Sequence, residues 1–165
     1  MYLKQKDIFG SLGKDFVKEI MDTAETDSHD SGELLFKEGD RADWFYILLK
    51  GSIKLSLGQT GQTIYLVSHA GEAFGWSSLV GRNNYSATAE CLSATKLLRF
   101  DKHKLEKIAE KDTLNGMALF KSLAAILGNR LLQSYASSFS ATRADEFSSY
   151  GTGQVMDVVE KELEK

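Results

Sequence analysis

The sequence predicts a mainly β domain, a barrel or a sandwich, that is followed by one long helix. Short apolar runs of β type recur between residues 33 and 100, and turns rich in glycine and aspartate separate them. After residue 101 the apolar residues change to helical spacing. Many short strands with regular turns are typical of a barrel or a sandwich and do not fit alternating strand–helix units.

The predicted elements follow one another in a simple order. Residues 12–25 place apolar side chains at helical spacing and predict a short amphipathic helix, and we interpret the polar stretch 26–32 as a break after it. The β-type runs are ELLFK (33–37), WFYILLK (44–50), SIKLSL (52–57), TIYLVS (63–68), SATAEC (86–91) and ATKLLRF (94–100). The second and third runs meet at Gly51 and predict a hairpin.

The C-terminal part is predicted to be helical. HKLEKIAEK indicates a short helix, and residues 115–139 indicate a long one. Its main apolar stripe comprises Phe120, Leu123, Ala124, Leu127, Leu131 and Tyr135, and a second row holds Leu119 and Ile126. Because this is more apolar surface than one small barrel covers, we expect the helix also to form a parallel homodimer. The alternative is a helix that packs only on its own barrel.

Composition excludes several classes of protein. The net charge of −3 gives no general attraction to nucleic acid. The single cysteine, Cys91, excludes a disulfide framework and a four-cysteine zinc site. The N-terminus lacks the apolar region of a secretory signal, and no segment approaches the ~18 to 20 apolar residues of a membrane span. We therefore expect a soluble, cytoplasmic protein with no membrane contact.

The stretch GEAFGWSSLVGRNNYSATAE, residues 71–90, carries the most specific pattern. Its first part fits G-x-x-F-G-E-x-[AS]-L at every specified position except the glutamate, where Trp76 stands, and residues 31–55 supply a matching pair of strands that close at Gly51. Residues 8–135 thereby resemble the cyclic nucleotide-binding domain of catabolite-activator-type regulators, kinase regulatory subunits and nucleotide-gated channels. The resemblance implies an eight-stranded jelly-roll barrel with a short N-terminal helix and a long C-terminal helix. The domain is expected to span residues 8–139, with a linker and a short amphipathic tail helix in residues 140–165.

The resemblance also implies how such a domain binds its ligand. A short helix inside the barrel loop offers N–H groups to the cyclic phosphate, a glutamate after the F-G pair bonds the ribose, and an arginine pairs with the phosphate. In this chain Trp76 stands at the glutamate position and Tyr85 at the arginine position. Loss of a bidentate arginine contact costs on the order of 10²- to 10⁴-fold in affinity. Cyclic nucleotide recognition of the ordinary kind is therefore not expected.

The candidate ligand-binding residues lie in this stretch and are Phe74, Gly75, Trp76, Ser77, Ser78, Arg82, Tyr85, Ser86, Ala87 and Thr88. Three alternatives remain open for them. Arg82 or the backbone amides could hold cyclic AMP or cyclic GMP in place of the missing arginine. Trp76 and Tyr85 could instead face a flatter, more apolar ligand, or their side chains could fill the pocket as part of the core.

The function expected from these observations is that of a non-enzymatic ligand sensor with atypical or lost cyclic nucleotide recognition. The alternatives are a ligand-free dimerisation or protein-interaction module, and the sensory half of a truncated transcription regulator. The sequence contains no catalytic motif and no cluster with metal-ligand spacing. We interpret His69 as a turn or surface residue and not as a haem ligand. A helix-turn-helix needs more chain than follows the long helix, so direct DNA binding is not expected.

Overall fold

The computed structural model describes residues 8–141, with side chains described as far as residue 136. Helix α1 spans Lys14–Asp22, α2 spans Lys102–Lys111 and α3 spans Thr113–Ala141. The strands are β1 Glu25–His29, β2 Leu34–Phe36, β3 Trp44–Lys50, β4 Ile53–Leu57, β5 Gln62–Val67, β6 Ala73–Phe74, β7 Thr88–Cys91 and β8 Thr95–Asp101. A short 3-10 helix, Trp76–Ser78, follows β6.

The eight strands of the described residues form two antiparallel sheets. One sheet has the order β1-β8-β3-β6, and the other has the order β2-β7-β4-β5. Strands distant in sequence therefore lie side by side, as β1 does with β8 and β2 with β7. This arrangement confirms the predicted jelly roll with a short helix before it and a long helix after it. The hairpin predicted at Gly51 was wrong, because β3 pairs with β6 and β8 whereas β4 pairs with β5 and β7, so the chain passes from one sheet to the other at this glycine.

Two apolar cores lie on opposite faces of the first sheet. On β3, Phe45 and Ile47 pack with side chains of the helices, whereas Tyr46 and Leu48 pack with side chains of the second sheet. Because both faces of β3 are covered, its sequence is a continuous apolar run that lacks the alternation of a half-exposed strand. The face toward the second sheet forms the interior of the jelly roll.

The interpretation of residues 26–32 as a break was wrong in its first half, because residues 25–29 form β1. The segment ETDSH has no apolar side chain, so its sequence gives no strand signal. It pairs residue by residue with β8, and Arg99 of β8 forms ion pairs with Glu25 (2.8 Å) and Asp27 (3.3 Å). Cross-strand hydrogen bonds and charge pairs thus take the place of apolar burial on this edge strand.

Helix α3 packs on the first core with only part of its predicted apolar surface. The buried row is Leu119, Leu123 and Ile126, so the row predicted as secondary supplies most of the contact with the first core. Phe120 is exposed at 38%, and Leu131 and Tyr135 are exposed as well. The described residues divide into two compact units, with the boundary between Leu127 and Gly128. Within the described residues, none of the helices combines the length and apolarity needed to cross a bilayer. The predicted linker and tail helix lie almost entirely outside these residues.

Candidate functional site

The candidate site is the cassette, residues 75–88, which follows β6. Gly75 has φ +74, a left-handed conformation that side chains other than glycine rarely adopt. A Cβ built on Gly75 would lie 2.8 Å from Cδ2 of Tyr46 and 3.2 Å from the carbonyl oxygen of Trp44. The glycine is therefore required by both conformation and space, and it lets the chain turn tightly into the 3-10 helix.

The serines of the cassette are directed at one another and at the backbone. Ser77 and Ser78 are both buried. The hydroxyl of Ser78 donates to the carbonyl of Gly75 at 3.0 Å, and the hydroxyl oxygens of Ser77 and Ser86 lie 3.4 Å apart. The structure thus brings Ser77 and Ser86 together, but it places no cationic side chain between them.

Tyr85, at the arginine position of the resemblance, points into the jelly roll. Its side chain is only 4% exposed. Its hydroxyl donates to the carbonyl oxygen of Trp44 at 2.7 Å and accepts from the amide of Trp44 at 3.1 Å. The phenol therefore joins the cassette to the beginning of β3, and both of its hydrogen-bonding roles are taken up by backbone.

Tyr85 belongs to an aromatic cluster, which we define as Phe36, Tyr46, Phe74 and Tyr85. The rings of Tyr85 and Phe36 are stacked with centroids 3.7 Å apart, and those of Tyr46 and Phe74 with centroids 5.1 Å apart. Phe36 also stacks on Tyr46 at 5.6 Å. Burial raises the pKa of the Tyr85 phenol and that of the Tyr46 phenol, so both hydroxyls remain neutral at physiological pH. The interior next to the cassette is aromatic and uncharged.

The other predicted residues are distributed around this cluster. Phe74 is fully buried within it, and Trp76 is half-buried and packs against both cores. Ala87 is half-buried. Thr88, at the start of β7, accepts a hydrogen bond from the amide of Glu38 at 3.0 Å, so its hydroxyl fixes the neighbouring loop.

Arg82, the possible replacement for the missing arginine, has an exposed side chain. Its amide donates to the carbonyl of Ser77 at 3.3 Å, which closes the loop backbone. Its guanidinium forms no ion pair or hydrogen bond with any described residue. The structure therefore places this cation on the surface of the cassette loop.

A second guanidinium, that of Arg99, lies opposite Tyr46 across the β3–β8 ladder. It stacks 4.4 Å over the ring of Trp44, and the carboxylates of Glu25 and Asp27 neutralise it. Its charge is thus satisfied by the protein. In the part of the chain with described side chains, no group of three or more histidine, cysteine, aspartate or glutamate residues is arranged to hold a metal ion.

Sequence reasoning identified two members of the aromatic cluster, Phe74 and Tyr85, as candidate site residues and missed the other two. Tyr46 was recognised only as part of a strand, and Phe36 as an ordinary member of a β-type run. Phe36 and Tyr46 could not be singled out from the sequence, because aromatic residues are common in strands. Their meeting with Tyr85 depends on pairing between β2 and β7 and on the cassette turn.

Comparisons with known proteins agree with this geometry. The family model of the cyclic nucleotide-binding domain matches residues 27–112, more than half of the chain. A cGMP-dependent protein kinase of Caenorhabditis briggsae is 25% identical over 118 residues, which are 68% of this chain and 16% of the kinase. Human cGMP-dependent protein kinase 2 is 27% identical over 89 residues, which are 52% of this chain and 12% of that kinase. The chain thus spans a small part of the curated relatives it matches.

Solved structures agree as well. A protein of Geobacter metallireducens GS-15, described as cyclic nucleotide-binding, superposes with a TM-score of 0.68 at 28% identity, covering 75% of this chain and 91% of that one. A cyclic nucleotide-binding domain from Methylobacillus flagellatus KT has the same fold, with a TM-score of 0.73 at 21% identity, covering 84% and 79%. With its two sheets, its glycine-framed cassette and the match over residues 27–112, this chain belongs to the cyclic nucleotide-binding domain family.

Proposed function

We propose that this chain is a non-enzymatic regulatory domain of the cyclic nucleotide-binding family that has lost recognition of cyclic AMP and cyclic GMP at its cassette. The observation that carries the proposal is the side chain of Tyr85. It stands where the family's phosphate-binding arginine is expected, and its hydroxyl bonds both polar groups of the Trp44 backbone. A phosphate at this site would meet a neutral phenol whose one O–H group already donates to the carbonyl oxygen of Trp44.

The aromatic cluster supports the same proposal from its packing. The ring of Tyr85 stacks on Phe36, so removing it from the interior would expose apolar surface and leave the Trp44 amide unpaired. Trp76 adds a half-buried indole where the family has a carboxylate for the ribose. Two charged contacts are absent, and aromatic side chains occupy their positions.

Calorimetric titration with cyclic AMP and cyclic GMP up to millimolar concentration tests the proposal. We expect no heat of binding from the unmodified chain, and micromolar binding of either nucleotide would overturn the proposal. The double variant Trp76→Glu/Tyr85→Arg restores the family's residues, and we expect it to gain affinity on the order of 10²-fold or more over the unmodified chain. The variant Trp76→Gln/Tyr85→Gln is the matched control without the charges, and circular dichroism reports whether each variant folds.

The domain is proposed to comprise residues 8–139, with residues 140–165 as an appended segment. We propose that it acts as a homodimer through the helix of residues 115–139. Supporting this, α3 exposes apolar side chains that its own barrel does not cover, among them Leu114 at 80%, Met117 at 56% and Leu132 at 60%.

Sedimentation velocity at tens of micromolar protein tests the homodimer. We expect a dimer that Leu132→Glu converts to a monomer, because a carboxylate buried in an apolar interface is strongly unfavourable. Lys107→Glu, an exposed change on α2 and outside the proposed interface, is the control for added negative charge. A monomeric unmodified chain at this concentration would contradict the proposal.

A further inference from the structure

A second concave feature lies away from the cassette, at the end of the first sheet. It is a cleft of about 460 Å³ lined by Ser28, His29, Asp30, Glu33, Lys50, Ala94, Thr95 and Lys96. We call it the lysine cleft. Its lining comes from β1, the turn after β1, the end of β3 and the beginning of β8. None of these residues belongs to the cassette or to the aromatic cluster.

Three of its residues form a row across three strands. Ser28 of β1 lies directly opposite Lys96 of β8, and Lys96 lies directly opposite Lys50 of β3. Opposite residues in antiparallel strands have Cα atoms roughly 4.5–5.5 Å apart. The row therefore presents one hydroxyl and two ammonium groups over two strand spacings, or roughly 10 Å.

The meeting of the two lysines depends on a β-bulge. Leu48 is opposite Leu97, and a regular ladder would next place Leu49 opposite Lys96. The register instead shifts between Leu48 and Lys50, so that Lys50 becomes the partner of Lys96. Bulges of this kind re-aim a side chain and are over-represented next to functional sites.

The bulge is followed at once by a close approach of the backbone. Gly51 has φ +100, and a Cβ built there would lie 2.7 Å from the carbonyl oxygen of Ala94 and 2.8 Å from Cα of Thr95. The end of β3 is therefore held tightly against the beginning of β8. Lys50 and Lys96 are consequently fixed as neighbours by the backbone.

The two like charges are not paired with a carboxylate of any described residue. Neither Lys50 nor Lys96 forms an ion pair or a hydrogen bond with any of them, although Lys54, Lys102 and Lys111 each have a carboxylate partner. Like charges directly opposite in a sheet are destabilising. The Ser28 hydroxyl likewise has no partner among the described residues.

The acidic residues of the cleft are partly occupied elsewhere. Oε2 of Glu33 lies 3.0 Å from Nδ1 of His29 and accepts the amide of Asp30 at 3.0 Å. The other ring nitrogen of His29 lies 3.2 Å from Asp27. Glu33 is thus held on the His29 side of the cleft, and Asp30 is the one lining carboxylate with no ion pair to a described residue.

From this juxtaposition we propose that the lysine cleft is an anion-binding site for a diphosphate group, held by Lys50, Lys96 and the Ser28 hydroxyl. A row of two ammonium groups and a hydroxyl is longer than a single phosphate and matches two linked phosphates with several acceptor oxygens. The bound anion screens the repulsion that the bulge creates between the lysines. The proposal is independent of the function proposed for the cassette.

The first experiment is a titration of the ¹⁵N-labelled chain with inorganic pyrophosphate, followed by amide chemical shifts. We expect saturable shifts at residues 28–30, 50 and 94–96, and weaker binding as ionic strength rises. Shifts confined to residues 75–88, or none at millimolar pyrophosphate, would overturn the proposal. ADP is titrated in parallel. Tighter binding of ADP than of pyrophosphate would assign a nucleoside diphosphate as the source, and equal or weaker binding would assign the free diphosphate.

Variants separate this site from general attraction of anions. Lys50→Gln and Lys96→Gln are each expected to weaken pyrophosphate binding at least about tenfold, because each removes a charge-assisted contact. Lys107→Gln, an exposed lysine of α2, is the control and should leave the affinity unchanged. An equal loss in all three variants would mean nonspecific attraction and would refute the site.

Discussion

The cassette and the lysine cleft differ in how their polar groups are satisfied. In the cassette, the Tyr85 hydroxyl and the Ser78 hydroxyl bond backbone groups within a few ångströms, and the aromatic cluster fills the interior. In the lysine cleft, two ammonium groups and a hydroxyl lie opposite one another with no partner among the described residues. The side chain at the arginine position of the cassette is thus bonded to backbone, whereas the lysine cleft presents charged groups that are not paired within the described residues.

This contrast teaches that a family match locates a loop but does not establish that the loop binds. Binding an anion requires donors or cations that the protein leaves unsatisfied. The cassette retains its backbone shape, with Gly75 in a left-handed conformation, but its side chains now bond one another and the backbone. These contacts are the reason why we propose that the cassette has kept its backbone geometry and lost its recognition of cyclic nucleotides.

The largest expected effect comes from breaking the aromatic cluster. Tyr85→Ala should lower the free energy of unfolding by about 3–5 kcal/mol, because it removes a buried ring and leaves a cavity. Tyr85→Phe keeps the ring and should cost about 1–3 kcal/mol for the lost hydrogen bonds to Trp44. Urea unfolding measures both. A loss below 1 kcal/mol in Tyr85→Ala would mean that this side chain does not fill the interior.

The turn into the cassette gives the next largest effect. Gly75→Ala should destabilise the protein by about 2–4 kcal/mol, because it adds left-handed strain and a contact with Tyr46. Gly71→Ala is a matched control, since Gly71 has φ +88 but no atom within 4 Å of its built Cβ. Its loss should be about 1–2 kcal/mol, from strain alone. Equal losses in thermal unfolding would remove the steric part of the explanation.

The two buried phenols predict a dependence of stability on pH. Burial raises the pKa of Tyr85 and of Tyr46, so the folded state keeps protons that the unfolded chain loses above about pH 10. Stability should therefore be constant just below pH 10 and fall above it, by up to about 1.4 kcal/mol per pH unit for each phenol.

Urea unfolding between pH 9 and 11 measures that slope. Tyr85→Phe should make the slope shallower, and Tyr135→Phe on the exposed part of α3 is the matched control. Absorbance at 295 nm reports ionisation of the phenols directly. If all of the tyrosines ionise together near pH 10 in the folded protein, the buried phenols do not have the raised pKa values described above.

The smallest effect, and one of opposite sign, is expected in the lysine cleft. Lys96→Gln should raise the free energy of unfolding by about 0.2–1 kcal/mol at low salt, because it relieves the repulsion from Lys50. The gain should shrink as salt is added. Lys54→Gln, which breaks an ion pair with Glu90, should not stabilise the protein. A loss of stability in Lys96→Gln would show that Lys96 has a stabilising partner.

Much of the fold followed from sequence patterns. The β-type runs at 44–50 and 94–100 correspond to β3 and β8, where strong apolar character marks the chain locally. The hairpin predicted at Gly51 did not form, because β3 and β4 lie in different sheets and each pairs with strands that are distant in sequence or follow it. Strand β1 was not predicted from the sequence, because its residues are entirely polar. Its pairing depends on Arg99, some 70 residues away. The side of α3 that packs inward could not be assigned from the sequence, because apolar residues occur on more than one of its faces.

The sequence by itself determined the family and the position of its cassette, because both depend on local patterns of glycine, aromatic and apolar residues. It also located the two departures, Trp76 and Tyr85. Only the tertiary structure decided that Tyr85 turns inward to bond Trp44, and that a bulge places Lys50 opposite Lys96. Both depend on pairing between segments far apart in the chain, where register and burial are set by the partner strand as well as by the segment's own residues.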